Sequence, residues 1–393
     1  MSPEERLARA EWLVRPETQA IFAALDGDKG RTRAVGGVVR DTLLDRERDN
    51  PDIDLATELS PEEVIARAEA NGIAHYPTGI DHGTVTLKLG ETLAEVTTLR
   101  RDVETDGRHA IVAFGTDWAE DAARRDFTLN ALYCGADGAL FDPLGGINDA
   151  LNGRIRFIGD AAGRIAEDGL RVYRFFRFSA SHGGEKLDAD GLAACAAAVG
   201  QLGHLSAERI GAEMLRMLAL PDIAQTLGAM AAIGLIAVDA DQLRTLKAYE
   251  ELGGFSSATR LAVFIGGRDA DDLQKQWRLS NEVMRAAQTV AGAADTVEED
   301  RLGEAAYRFG EAAVEGLALA AARGGWKTDR LAEAARSLAA VQLVPFPISG
   351  NDLAGLGMKP GPALGQELAR LERLWIDSGF ALDREALLAQ VRR

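Results

Sequence analysis

Ala34-Val35-Gly36-Gly37-Val38-Val39-Arg40-Asp41, followed after about ten residues by Asp52-Ile53-Asp54-Leu55-Ala56-Thr57, is the stretch from which the rest of the chain can be read. An apolar pair runs into two glycines and then into Val38 to Leu44, the pattern of a strand, a tight turn and a short helix. Without Cβ atoms the backbone at Gly36 and Gly37 can approach a ligand closely, and the N–H groups opening the helix attract phosphate oxygens. Arg40 adds a cation within the first turn. The second segment alternates polar and apolar, so an extended strand puts Asp52 and Asp54 on one face and sends Ile53 and Leu55 into a core. Neighbouring carboxylates repel unless a cation sits between them, and Mg²⁺ accepts one or two carboxylates together with phosphate oxygens and water. Taken singly, each pattern has an ordinary reading: a solvated strand edge for the aspartates, a plain turn for the glycines. The spacing is neither Gly-x-Gly-x-x-Gly nor Gly-x-x-x-x-Gly-Lys.

Further blocks follow in order: Glu95-Val96-Thr97-Thr98-Leu99-Arg100, Arg124-Arg125-Asp126-Phe127-Thr128-Leu129-Asn130-Ala131, Asp142-Pro143-Leu144-Gly145-Gly146-Ile147-Asn148-Asp149, Glu167-Asp168-Gly169-Leu170-Arg171, and Ser206-Ala207-Glu208-Arg209-Ile210. From Glu167 to Arg177 the period is helical, with Arg171, Arg174 and Arg177 at three-residue steps and Leu170, Phe175 and Phe178 available for a core. That reading makes Asp168 and Arg171 neighbours. A carboxylate only accepts hydrogen bonds and a guanidinium only donates them, so side by side they complement a base edge that offers an amino group beside a ring nitrogen. Cytosine and adenine present that edge; guanine and uracil do not. An exposed Glu167–Arg171 ion pair reads equally well from the spacing alone.

Taken together, over about the first 220 residues, these blocks resemble the class II tRNA nucleotidyltransferase and poly(A) polymerase family, in particular its bacterial CCA-adding members. The resemblance implies template-independent addition of CCA to the tRNA 3′ end from CTP and ATP, by nucleotidyl transfer with one Mg²⁺ held on Asp52 and Asp54 and a second neutralising the departing pyrophosphate. It assigns the phosphates to Gly36, Gly37, Arg40 and Arg125, the ribose hydroxyl to Asp126 and loop shape to Asn130. Base selection falls to Asp168 and Arg171, with Glu167 orienting the arginine; Arg174 and Arg177 join the nucleotide-binding set. Glu95, on the strand face of Thr97, is either a third carboxylate near the metals or a structural hydrogen-bonding group. Gly169 departs from the family, which carries a bulkier residue there, and weakens the helix start. A poly(A) polymerase or a partial CC- or A-adding enzyme would share the catalytic motifs. A non-catalytic RNA-binding relative would have lost Asp52, Asp54 or Arg125.

The chain has 393 residues, room for several domains, and a formal charge of −17 that disfavours RNA binding unless basic groups are gathered locally. Residues 154–177 supply six arginines against three acids, which suggests such a groove. Cys134 and Cys195 lie far apart, without zinc or disulfide spacing, pointing to a reducing cytoplasm. No signal peptide or membrane-spanning run is evident, and Ile223 to Val238 reads as a buried helix. Oligomeric state is not legible.

The expected architecture is α+β: an N-terminal helical segment (1–29), a nucleotidyltransferase head with a mixed, mostly antiparallel sheet (30–150), then an all-α neck (151–205), RNA-binding body (206–344) and tail (345–393). Strands are expected at Thr84–Leu89, Glu95–Leu99, Ile111–Phe114 and Ala131–Cys134. The charged segment Arg100–His109 reads as a mobile loop over the site, and in the family a loop here accompanies full CCA addition. In the tail, a helix capped by Ser349 or Asn351 precedes a final amphipathic helix from Gly361 through Trp375; this part is similar to the tRNA-elbow-gripping domain of long bacterial members.

Overall fold

The computed structural model describes residues 2–47, 49–105, 110–266, 269–342 and 344–392. The chain divides into two units, Met1–Ala237 and Val238–Arg393. The first carries a mixed sheet whose strands are β1 (Thr32–Val35), β2 (Ile53–Thr57), β3 (Ala74–Gly79), β4 (Thr84–Leu89), β5 (Thr92–Thr98), β8 (Tyr133–Cys134) and β9 (Leu140–Phe141). Their order is β3-β4-β5-β2-β1-β8-β9. Only β2 and β5 run parallel; every other neighbouring pair is antiparallel.

The two-residue side-chain period dictates what each face carries. Ile53 and Leu55 of β2, Ala94 and Val96 of β5, and Val85 and Leu87 of β4 are buried together. The helices Pro16–Ala24 and Pro61–Ala70 pack against this part of the sheet. On the opposite face the register places Asp54 beside Glu95, Glu95 beside Thr86, and Thr86 beside Tyr76. The carboxylates therefore stand where the sheet is open because the apolar half of each strand has claimed the covered side. The N-terminal helices reinforce the turn region: Trp12, fully buried, donates its indole N–H to Thr42 Oγ1 at 2.9 Å, on the helix that begins at Gly37.

Several local expectations are corrected. Arg100–Thr105 forms a strand, β6, paired antiparallel with β7 (Ala110–Phe114), instead of a loop. Its charges, without a clean apolar alternation, hid its pairing with the strand expected at Ile111–Phe114. The remainder of the expected loop, 106–109, lies outside the described residues. The strand foreseen at Ala131–Cys134 shrinks to Tyr133–Cys134, because a 3₁₀ turn over Thr128–Asn130 consumes the residues before it. The helical run from Glu167 is broken: one helix ends at Glu167, Asp168 is extended (φ −150°, ψ 104°), and a second helix, Leu170–Gly183, starts after Gly169. Ile223–Val238 contains a helix only over Ala224–Ala232; Gly234, at φ +78°, turns the chain soon afterwards.

Among the described residues of the second unit, every regular element is a helix. Near its end, Ser349 caps the helix Gly350–Gly355 through a capping box with Asp352, as foreseen. The helix Pro362–Asp377 is not the last, since Arg384–Leu388 follows. Trp375, 1 % exposed, gathers Tyr307, Phe346 and Phe380 within 5.3 Å between ring centres, so the C-terminal segment shares a core with the helix Leu302–Phe309.

The approach to β1 is fixed by Asp26, a non-glycine residue at φ +57°. Its carboxylate accepts from Lys29 (2.8 Å) and Arg31 (3.2 Å) and pairs with Arg67 (2.8 Å) of the helix Pro61–Ala70. The hydrogen bonds from Lys29 and Arg67 hold the carboxyl well below its ordinary range. Because the three cationic side chains reach solvent, the surface-pair scale applies. Asp26→Asn should cost about 1 kcal/mol near neutral pH in urea unfolding of the first unit. A depressed folded-state pKa stabilises above the unfolded value of 3.8 and loses that effect as pH falls. The gap between wild type and variant should therefore narrow in acid, and a gap that is absent at neutral pH or constant with pH would contradict this.

Candidate active site

Gly36 caps the helix Gly37–Leu43 with φ +74° and ψ −123°, a conformation open to glycine and strained for other residues. Its N–H donates to Leu132 O at 3.1 Å, fastening the turn to the segment that leads into β8. A Cβ at this position would sit 3.9 Å from Arg125 Nη1, so the turn faces that guanidinium. Gly36, Gly37, Arg40, Asp52, Asp54, Arg125, Asp126, Asn130, Asp168, Arg171, Arg174 and Arg177 line one cavity of about 950 Å³. Two of the sequence-derived site residues, Glu95 and Glu167, do not line it. Eight arginines and four aspartates face this space, an electrostatic environment suited to a polyphosphate.

At one end stand Asp52 and Asp54. In the metal-free chain the Asp54 carboxyl is pushed up to about 6, first by desolvation and then by the charge of Glu95, against the pull of Arg125 and with a further push from Asp52. A carboxylate in that position gains from any cation that joins it. Among the described residues no group of three or more His, Cys, Asp or Glu side chains is arranged to hold a metal ion. The pair of hard oxygen donors thus fits a divalent cation that takes its other ligands from water and substrate phosphate. Glu95 lies directly across from Asp54 in the parallel register and acts on it through charge.

The second motif is built around two buried carboxylates. Asp126, 7 % exposed, accepts at Oδ1 from Phe127 N (2.9 Å) and Asn130 Nδ2 (3.0 Å), and at Oδ2 from Arg174 Nε (2.7 Å). Burial alone would raise its pKa; Arg174 and these hydrogen bonds outweigh burial and hold it low. Asn130 Oδ1 in turn accepts from Arg40 Nη1 at 2.6 Å. Asp121, 1 % exposed, accepts from Arg124 (2.8 Å), Arg125 (3.1 Å) and the Tyr133 hydroxyl (2.8 Å), so the two adjacent arginines are held as a pair. The third block braces the second from behind. Asp142 accepts from Gly146 N and Ile147 N, Asp149 accepts from Thr128 Oγ1 at 2.6 Å, and a Cβ on Gly146 would come within 2.1 Å of Thr128 O.

At the other end, Asp168 and Arg171 face the cavity from either side of the helix break. Arg171 donates to Glu167 Oε2 (2.5 Å), Arg164 O (2.8 Å) and Arg124 O (3.0 Å), which fixes its guanidinium from three directions. Asp168 Oδ2 accepts from Arg209 Nη2 at 2.7 Å. Glu213, 2 % exposed, pairs with Arg177 (2.6 Å), Arg216 (3.1 Å) and Arg174 (3.9 Å). The basic stripe at 154–177 is therefore largely paired: Arg154 with Asp188, Arg156 with Asp149, Arg164 and Arg171 with Glu167, and Arg174 and Arg177 as above. Counting charge along the sequence left out acids contributed by distant segments. Asp121, Tyr133, Arg124, Arg209, Arg216, Glu213 and His182 were not among the candidate residues. Of these, only Arg124 and Arg209 lay inside a quoted block.

The comparisons with known proteins follow the same outline. A family model described as the poly A polymerase head domain matches residues 32–156, and one described as tRNA nucleotidyltransferase domain 2 matches residues 258–391. The mitochondrial CCA tRNA nucleotidyltransferase 1 of Mus musculus is 32 % identical over 417 aligned positions, spanning 97 % of this chain and 93 % of that protein. The CCA-adding enzyme of Listeria monocytogenes is 32 % identical, spanning 86 % and 88 %. Among solved structures, the CCA-adding enzyme of Bacillus stearothermophilus in complex with CTP superposes with a TM-score of 0.79 at 28 % identity, covering 96 % of this chain and 97 % of that one. The Thermotoga maritima CCA-adding enzyme complexed with tRNA shares the fold at 19 % identity, with a TM-score of 0.67.

The Asp54 environment sets a pH test. A raised folded-state pKa means that the metal-free folded chain binds a proton more tightly than the unfolded chain. Asp54 therefore penalises folding above about 6, and the penalty fades as pH falls toward 3.8. Added Mg²⁺ should raise the melting temperature clearly near pH 8 and much less near pH 5, where protons compete for the same oxygen. Asp54→Asn should remove most of that increment. An increment of equal size at both pH values, or one that survives in the variant, would contradict the assignment.

Proposed function

The chain belongs to the CCA-adding tRNA nucleotidyltransferase family, and from that premise we propose the following division of labour for adding C, C and A to a tRNA 3′ end from CTP and ATP. The observation that carries it is the single cavity in which Asp52 and Asp54 share walls with Asp168 and Arg171. The tRNA 3′-hydroxyl attacks the α-phosphorus of the bound nucleotide, forming one P–O bond as the bond to the β-phosphate breaks. Pyrophosphate leaves and the hydroxyl proton passes to water. Two Mg²⁺ ions, carried by Asp52 and Asp54, would supply activation of that hydroxyl and neutralisation of the departing charge. Glu95 keeps the region electronegative enough to favour them.

Gly36, Gly37, Arg40 and Arg125 hold the phosphates; Asp121 and Tyr133 keep Arg125 extended toward the turn. Asp126 already accepts hydrogen bonds on both oxygens, so we assign it chiefly to positioning Asn130 and Arg174, with any ribose contact made by its remaining lone pairs. Arg171 donates and Asp168 accepts at the base edge shared by cytosine and adenine, with Glu167 and the Arg124 carbonyl orienting Arg171. Arg174 and Arg177 line the same space, each tethered to Glu213.

We further divide the chain into an N-terminal segment (1–29), head (30–150), neck (151–205), body (206–344) and tail (345–393), the last two being the RNA-binding regions. Among the described residues no helix is long and apolar enough to cross a membrane. Cys134 and Cys195 are free and buried, with thiols pushed up to about 12 by burial, which supports a reducing, cytoplasmic setting.

The purified chain, given tRNA lacking its 3′ end, Mg²⁺ and labelled CTP and ATP, should add three residues and stop at CCA. A long A tract would select a poly(A) polymerase, and no incorporation would overturn the reading. Arg171→Ala should lower the preference for CTP over UTP in kcat/KM by about tenfold or more, the scale of one buried unpaired group. An unchanged ratio would remove Arg171 from base reading.

A further inference from the structure

Nucleotidyl transfer, as read above, must seat the RNA terminus as well as the incoming nucleotide. In-line displacement requires the attacking oxygen to approach the α-phosphorus opposite the leaving pyrophosphate, so the RNA terminus must reach Asp54 through a space of its own. Among the described residues, Asp54 also lines two further cavities. The smaller, about 210 Å³, runs beside the helix Gly37–Leu43 and is lined by Trp12, Asp41, Glu47, Asp52 and Asp54 with Arg40 as its one cation. It repels a phosphodiester. The other, about 350 Å³, shares Asp54, Arg124 and Arg125 with the nucleotide cavity and extends toward His82, Thr84, Thr97 and Arg100. Three arginines and a histidine face it against a single acid, a balance that attracts a nucleic-acid backbone.

Next to residues that line this second cavity lies an exposed ring. Phe114, 47 % exposed, pairs with Arg100 across the β6–β7 hairpin. Its edge lies against Gly83, where a Cβ would come within 2.6 Å of the ring, so this glycine, at φ +80°, leaves the aromatic beside His82 and Thr84. Arg100 donates to the His82 carbonyl, and the Thr84 and Thr97 hydroxyls share a hydrogen bond of 3.0 Å with lone pairs to spare. A large apolar ring left in water beside the residues of a cationic pocket is the arrangement by which proteins stack an unpaired base while holding its backbone.

We propose that the cavity bounded by Asp54, His82, Thr84, Thr97 and Arg100 receives the terminal nucleotide of the acceptor RNA, with Phe114 stacked on its base. Arg100 and Arg124 face the terminal phosphodiester, the threonine hydroxyls face the ribose, and the 3′-hydroxyl is presented at Asp54. This inference rests on the nucleotidyl-transfer reading, which wild-type incorporation tests separately. Stacking accepts any base, so the site would serve an acceptor ending in whichever nucleotide was added last.

The test measures KM for tRNA at saturating CTP, and KM for CTP at saturating tRNA, in wild type, Phe114→Ala and Phe114→Trp. Phe114→Ala should raise KM for tRNA about tenfold and leave KM for CTP within about twofold, while Phe114→Trp restores tRNA binding. A tRNA whose terminal nucleotide lacks its base should lose a similar factor with the wild type and nothing further with Phe114→Ala. That second measurement needs no substitution and stands even if Phe114→Ala folds poorly. A wild type indifferent to the missing base, or a variant in which KM for CTP rises instead, would overturn the proposal.

Discussion

A single buried carboxylate, Asp126, sets the distances on which the site depends. It accepts from its neighbour's backbone, from Asn130 and from Arg174, and Asn130 passes the constraint on to Arg40. One acid thereby joins the helix after the glycine turn, the turn before β8 and the helix that carries Arg171. Bringing a charge below a tenth of its exposure is costly unless it is fully paired. Here pairing wins, because the carboxyl is held low in spite of its burial. Losing either end of the clasp would leave an uncompensated charge and free the base-reading helix from the catalytic sheet.

The same principle runs through the rest of the cavity. Arginines there are numerous yet tethered: Arg124 and Arg125 to Asp121, Arg171 to Glu167, Arg177 to Glu213, Arg209 to Asp168. A tethered guanidinium loses less entropy when a ligand arrives. The exception is the group of acids on the open sheet face, where Glu95 and Asp52 repel Asp54 and, with its burial, outweigh the pull of Arg125 and drive its pKa upward. Charge is compensated wherever geometry must be fixed. It is compensated least at Asp54, the position proposed to hold a cation.

What the sequence disclosed was local. Gly36-Gly37 and Asp52-x-Asp54 could be read because a turn and a strand alternation are complete within a few residues, and β4 lies over Thr84–Leu89 as its pattern indicates. The break at Asp168 was missed because arginines at three-residue steps continue across it, while Gly169 and the extended backbone interrupt the helix. Of the hairpin, β7 was legible at Ile111–Phe114 from its apolar run, while β6 was missed because Arg100–Thr105 is charged and lacks a clean two-residue alternation. Asp121, Tyr133 and Glu213 escaped notice for a different reason. Buried partners of candidate site residues, they come from segments whose own sequence has no motif, and only the fold brings them within hydrogen-bonding reach.

The central claim is that one cavity holds a cation on Asp52 and Asp54 while Asp168 and Arg171 read the base of the nucleotide whose phosphates that cation meets. A crystal structure of the chain with CTP and Mn²⁺, using the anomalous signal of the metal, addresses it most directly. The account expects manganese between the two aspartates in contact with phosphate oxygens, and the cytosine amino group and ring nitrogen on Asp168 and Arg171. Manganese bound elsewhere, or a cytosine lying away from that pair with its phosphates still in the cavity, would contradict it.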